Sequence, residues 1–116
     1  YHLFLFRLDA RAFCAPRAAV LRALQAEGIP VSGGYAVPLY RQPLFVNRAF
    51  GPYLAGVSGR LDYGKVRCPN CETICYKQGA WLEQNLLLGT ASDMEDIARA
   101  FEKVHAHRAI LNSITV

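Results

Sequence analysis

A small α/β domain is the fold class this sequence predicts: a two-layer sandwich, with a short, mostly antiparallel sheet and helices packed on it. Three observations carry the prediction. At 116 residues the chain is long enough for one core. A hydrophobic share of 53% supplies that core amply, with a mean hydropathy of +0.12. Strand-like and helix-like stretches alternate, and the helical ones are bounded by proline, glycine and capping residues.

The opening stretch, Tyr1 to Leu8, is apolar or aromatic apart from His2 and Arg7, which suits a strand covered on both faces. Asp9 and Arg11 end it. Pro16 fits the first position of a helix, where its missing amide costs nothing, and Val20, Leu21 and Leu24 form the apolar stripe that follows. Gly28 suits the left-handed residue that closes such a helix. Ile29-Pro30-Val31 is a short apolar step into a loop with two adjacent glycines, Gly33 and Gly34, and two aromatic hydroxyls, Tyr35 and Tyr40.

Residues 46 to 67 show no sustained period and are punctuated by Gly51, Pro52, Gly56, Gly59 and Gly64. They read as a long irregular connection with room for one helical turn, and Phe50, Tyr53 and Leu54 predict partial burial there. Pro69 and Gly79 bound a second helix, with Cys71, Ile74, Cys75 and Gln78 on one face. Trp81 to Leu88 reads as a strand. Ser92 and Glu95 form a capping-box pattern, and the helix behind it carries Ile97, Phe101, Val104 and Leu111 on one side.

Composition excludes several classes of function. No apolar run approaches the ~20 residues that span a bilayer, and nothing suggests secretion, so a cytoplasmic protein without membrane contact is expected. The net charge of +4 invites nucleic-acid binding, but the basic residues are scattered from Arg7 to Arg108, whereas phosphate binding needs them concentrated. The start at Tyr1 with an apolar strand predicts a piece of something longer.

The chemistry visible in the residues is sparse. Cys68-Pro-Asn-Cys71 is half of a zinc site, and the second pair that a structural site needs is missing. Cys14, Cys75, His105 or His107 would complete it only by tertiary coincidence, so buried thiols are expected and no metal. No nucleophile–base pair follows from spacing. Two readings of the Gly33–Phe45 loop stand side by side: a stiff ligand wall, or an ordered loop explained by turn chemistry alone. Gln84 and Asn85 break a Leu-rich stretch, and either face solvent or point into a site.

Taken together, the motifs carry a resemblance. LQAEGIP, then PLYRQPLF, then CPNCE, WLEQ and the helix DMEDIARAFEKV make the chain similar, from Tyr1 to about Val104, to the C-terminal small domain of the DegT/DnrJ/EryC1/StrS aminotransferases. These are pyridoxal-phosphate-dependent enzymes of fold type I that act on keto-sugars and keto-cyclitols. The most specific part is L-x-A-x-G-I-P, followed by a Tyr or His and by P-L-H/Y-x-Q-P-x-F.

The resemblance implies ping-pong transamination, with glutamate or glutamine as amino donor, pyridoxal phosphate as cofactor and a homodimer as the working form. It implies that residues 1–116 are one domain that shapes the substrate pocket, while the Schiff-base lysine and most coenzyme contacts lie in a large domain absent from this chain. Lys65, Lys77 and Lys103 do not stand in the lysine's context, so no catalytic or cofactor-binding residue is expected here. By position, Tyr35, Tyr40 and Gln84 become the expected substrate-binding residues. Two departures from the pattern are Glu83, where Pro is usual, and Cys71, where a small apolar residue is common. The rival expectations are a non-catalytic α/β binding or dimerisation module and a small zinc-binding domain.

Overall fold

The structure is a computed structural model that describes residues 2–51 and 60–113. Pro52, Tyr53, Leu54, Gly56 and Gly59, part of the irregular connection expected from the sequence, lie outside the described residues, as does Tyr1. In chain order the elements begin with β1 (Leu3–Arg7), α1 (Arg17–Ala26) and β2 (Val31–Ser32). A 3-10 turn (Leu39–Arg41), α2 (Pro43–Val46) and a second 3-10 turn (Tyr63–Lys65) follow. Then come α3 (Pro69–Thr73), a π-turn (Ile74–Gln78), β3 (Gly79–Glu83) and a 3-10 helix (Gln84–Leu88). The chain closes with α4 (Ala91–Ala106) and a 3-10 segment (Arg108–Ser113).

The three strands make one sheet in the order β1-β3-β2, antiparallel throughout. Phe4 and Val31 flank Leu82, and Phe6 sits opposite Ala80. Alternation along each strand turns these residues toward the helices, where Leu24 of α1 and Val104 of α4 are buried. Phe6 meets Phe101 of α4 edge-on, with ring centroids 5.6 Å apart. Lys103 of α4 pairs with Glu27 at the end of α1 at 2.7 Å, tying the helices together. The two-layer α/β sandwich expected from the sequence is therefore the observed architecture.

Several details differ from the sequence expectation. β1 is not covered on both faces: it is an edge strand, and Leu5 is 61% exposed. The helices cover one face of the sheet, so Leu3, Leu5 and Trp81 emerge on the other. Pro16 precedes α1 as its N-cap in extended backbone, and its carbonyl accepts from Ala19 and Val20. Gly28 does take the left-handed conformation, with φ +87°. The strand predicted over 81–88 stops at Glu83, which pairs with Leu3, the first residue of β1. Leu86 and Leu87 reach the core from a 3-10 helix instead.

The helix after Pro69 begins as predicted, with proline in its first turn. Its second half widens into the π-turn, so the residues there do not continue an α-helical stripe. Cys71 is exposed and Cys75 half-buried, which replaces the expected pair of buried thiols. The cap of α4 is made by Thr90 and Asp93, not by Ser92 and Glu95.

Candidate functional site

The uncovered face of the sheet carries the most distinctive arrangement in the chain. β3 brings Trp81 to the middle of that face, between Leu5 of β1 and Ser32 of β2. The chain leaves β2 through Gly33 and Gly34 directly over the indole. Gly34 has φ +76°, and a Cβ there would lie 3.3 Å from the Trp81 ring. A side chain at Gly34 would meet a backbone penalty and a steric one together, which gives a physical reason for glycine at this position. Tyr35 then lays its ring edge-on to Trp81 with centroids 5.0 Å apart. Leu3, Leu5, Ile74 and Cys75 complete a shallow cup of about 230 Å³ around these two rings. Tyr35 itself is 67% exposed, at the rim.

Arg17 fixes the back of this cup. Its Nη1 donates to the carbonyls of Gly33 (2.8 Å), Cys75 (3.0 Å) and Gly79 (2.8 Å). One guanidinium nitrogen thus joins the start of α1 to the two-glycine loop, the π-turn and the first residue of β3. The Cys75 thiol, which lines the cup, is pushed up from its ordinary range by burial and further by its contact with Cys71.

Tyr40 stands in a different setting. Its hydroxyl donates to Glu72 Oε1 on α3, and Arg41 reaches the same oxygen at 3.4 Å. Beside this contact, Phe45, Phe50 and Tyr63 form an aromatic cluster with centroids 5.2–5.9 Å apart. Gln84 is exposed at the start of the 3-10 helix after β3. Of the three residues singled out in the sequence, Tyr35 alone lines the cup; Tyr40 and Gln84 are not among its walls.

Arg17, Glu72 and Trp81 matter to this region, and sequence reasoning assigned none of them a role. A faint signal existed for Arg17, a cation at a helix start where an acid or a neutral cap is usual. Among the described residues no three His, Cys, Asp or Glu side chains are grouped to hold a metal ion, and no helix is long and apolar enough to cross a membrane. Chemically the cup can orient a ligand against two aromatic rings and one phenolic hydroxyl. It presents no nucleophile paired with a base.

Comparison with known proteins adds a direction. The chain is 41% identical over 97 residues to an L-glutamine:2-deoxy-scyllo-inosose aminotransferase from Streptomyces paromomycinus, a match covering 81% of this chain and 22% of that protein. A protein of the same name from Streptomyces fradiae is 36% identical over 120 aligned positions, 96% of this chain and 27% of that protein. A putative L-glutamine:3-amino-2,3-dideoxy-scyllo-inosose aminotransferase from Streptoalloteichus tenebrarius is 32% identical over 108 residues, 90% of this chain and 26% of that protein. The chain therefore spans about a quarter of the length of the curated relatives it matches. No protein-family model matches it.

Proposed function

We propose that this chain is the C-terminal small domain of an aminotransferase that moves an amino group from glutamine to a keto-cyclitol. The observation that carries the reading is the match of four-fifths or more of the chain to relatives named for that reaction. The cup beneath Tyr35 fits a part in it: a carbocycle has an apolar ring edge to lay on Trp81 and hydroxyls to exchange hydrogen bonds with a phenol. Tyr35, Tyr40 and Gln84 are the proposed substrate-side residues. Tyr40 serves by fixing the loop through Glu72, and Gln84 by offering an exposed amide.

The same reading brings pyridoxal phosphate as cofactor, and the residues described in this chain do not fit it. Lys65 is paired with Asp62 at 3.2 Å on the surface, Lys103 is held by Glu27 at 2.7 Å, and Lys77 is exposed on the π-turn. Lys103 does line a cavity of about 270 Å³ with Glu27 and His107, but its other walls are apolar and Glu27 already takes the ammonium. In this reading the coenzyme is held by another part of the protein, and this chain supplies substrate shape and exclusion of water. A homodimeric, cytoplasmic protein belongs to the same proposal.

The test is transamination by the full-length protein that carries this chain, with glutamine and 2-deoxy-scyllo-inosose as substrates. Amine formation that requires both substrates is expected. A full-length protein that binds neither would put the reading aside. It would favour a non-catalytic interaction module, for which the exposed Leu5 and Tyr35 on the open sheet face speak.

A further inference from the structure

We infer that Arg17 is the positioning residue for the Tyr35 loop. It holds the Gly33 carbonyl against the junction of the π-turn and β3, and so sets the direction from which Tyr35 meets a ligand. What Tyr35 does there rests on the aminotransferase reading; where Tyr35 stands does not.

The first argument is local. Arg17 is the first residue of α1, and no acidic residue accompanies it in the first turn. A cation at a helix start opposes the helix dipole. Its side chain instead crosses to the far end of the α3–π segment, where it meets the Cys75 carbonyl at 3.0 Å. A cation is favourable at that end of a helix. Departures from a local rule with a distant compensation concentrate at functional or strained positions.

The second argument is what else could hold the loop. Gly33 and Gly34 have no side chains, and Gly34 is left-handed at φ +76°. This pair is the most freely rotating dipeptide in the loop, and it sits immediately before Tyr35. Its restraint comes from two neighbours. The Trp81 ring lies beneath Gly34, and Arg17 binds the Gly33 carbonyl at 2.8 Å. Because Nη1 has two hydrogens and serves three carbonyls, the loop, the π-turn and β3 share one anchor. Losing it releases the hinge before Tyr35 and leaves the Trp81 face in place.

The experiment uses the full-length protein labelled with 5-fluorotryptophan. Trp81 is the one tryptophan of this chain, and its ¹⁹F resonance is identified through Trp81→Phe. In Arg17→Met the Trp81 resonance is expected to shift or broaden, because the Tyr35 edge no longer sits at a fixed place. Arg17→Lys keeps the charge on a shorter stem and is expected to move it less. In steady-state kinetics with the ketone, Arg17→Met is expected to raise KM about ten-fold with a smaller change in kcat. Adding Tyr35→Phe should then cost less than a further two-fold, since both changes remove one effect.

An unmoved Trp81 resonance in folded Arg17→Met overturns the inference. So do kinetic losses from the two substitutions that simply multiply. A moved resonance with unchanged kinetics upholds the positioning and removes Tyr35 from the aminotransferase reading. If Arg17→Met does not fold, Arg17→Gln decides: a moved resonance upholds the inference and an unmoved one overturns it.

Discussion

Tyr40 donates its hydroxyl to Glu72 Oε1, pinning the loop after β2 to a helix 32 residues further along the chain. Arg41 braces the pair, with its guanidinium 5.6 Å from the centre of the Tyr40 ring. The two acid groups shift in opposite directions. Burial and then the Glu72 bond push the phenol up, while the Tyr40 hydrogen bond, foremost, holds the Glu72 carboxyl below its usual range. A phenol donating to a carboxylate requires that pattern.

The tether has a pH window that follows from those directions. Glu72 is depressed on folding, so its contribution is present above the ordinary carboxylate pKa of about 4.3 and is lost as pH falls through the lower folded value. Tyr40 is raised, so its contribution is full below about pH 10 and is lost as pH rises through the higher folded value. Tyr40→Phe should therefore be less stable than the parent by a constant amount from about pH 5 to 9. That difference should begin to narrow below the ordinary carboxylate range and close as pH falls through the lower folded value of Glu72. Denaturant melts across pH measure it, and a gap that persists undiminished at pH 3 would show that the phenol–carboxylate bond is not its source.

Tyr35→Phe separates recognition from folding. The residue is 67% exposed and its ring packing on Trp81 survives the loss of the hydroxyl, so the denaturation midpoint should stay in place. If the hydroxyl bonds a substrate oxygen, kcat/KM for the ketone should fall about three- to ten-fold, the worth of one neutral hydrogen bond. Unchanged kinetics would take Tyr35 off the list of substrate-side residues.

Three glycine substitutions test the geometry over Trp81. Gly34→Ala combines a left-handed backbone with a Cβ 3.3 Å from the indole and should cost about 1–3 kcal/mol. Gly28→Ala shares the left-handed angle, at φ +87°, but its Cβ would meet nothing within 4 Å; it should cost about 1 kcal/mol from the backbone alone. Gly33→Ala has an ordinary backbone and a tolerable 3.4 Å approach to Leu21, and should be nearly neutral. Equal losses in all three, by thermal melts, would mean that contact with Trp81 does not matter.

Much of the fold was legible because local signals and tertiary packing agreed. Val20, Leu21 and Leu24 mark the buried side of α1, and Gly28 closes it, as the pattern indicated. Ile97, Phe101 and Val104 of α4 do face the core, whereas Leu111, expected on the same helix, reaches it from the 3-10 segment that follows. What was not legible depends on partners distant in sequence. The apolar run Leu86-Leu87-Leu88 looks like a continuing strand, yet Leu86 and Leu87 turn to the core from a 3-10 helix, packing that their own segment does not reveal. Leu5 looks like core because no residue in its own segment reveals that β1 lies at the sheet edge. The site shows the same division. Tyr35 stands out in the sequence through loop chemistry and the resemblance, while Trp81 and Arg17 reach the cup through register and a cross-chain hydrogen bond that no short window contains.

The start of α4 gives the cleanest contest between the two levels. Ser92-x-x-Glu95 and Thr90-x-x-Asp93 are both capping patterns, offset by two residues. The helix begins at Ala91, so Thr90 is the residue whose side chain can serve the first free amides. Thr90 Oγ1 accepts from the Asp93 amide at 3.3 Å, and Asp93 Oδ2 accepts from the Thr90 amide at 2.6 Å. Ser92 is already inside the first turn, where its hydroxyl competes with the helix and caps nothing. Thr90→Ala should therefore destabilise by about 1 kcal/mol, whereas Ser92→Ala should be neutral or slightly stabilising. Glu95→Gln should resemble Ser92→Ala, since Glu95 takes no part in the cap and its ion pair with Arg99 is a surface contact at 3.7 Å. Thermal melts of the three variants decide. If Ser92→Ala proves the costly one, α4 starts two residues later than Ala91 and the cap assigned to Thr90 is wrong.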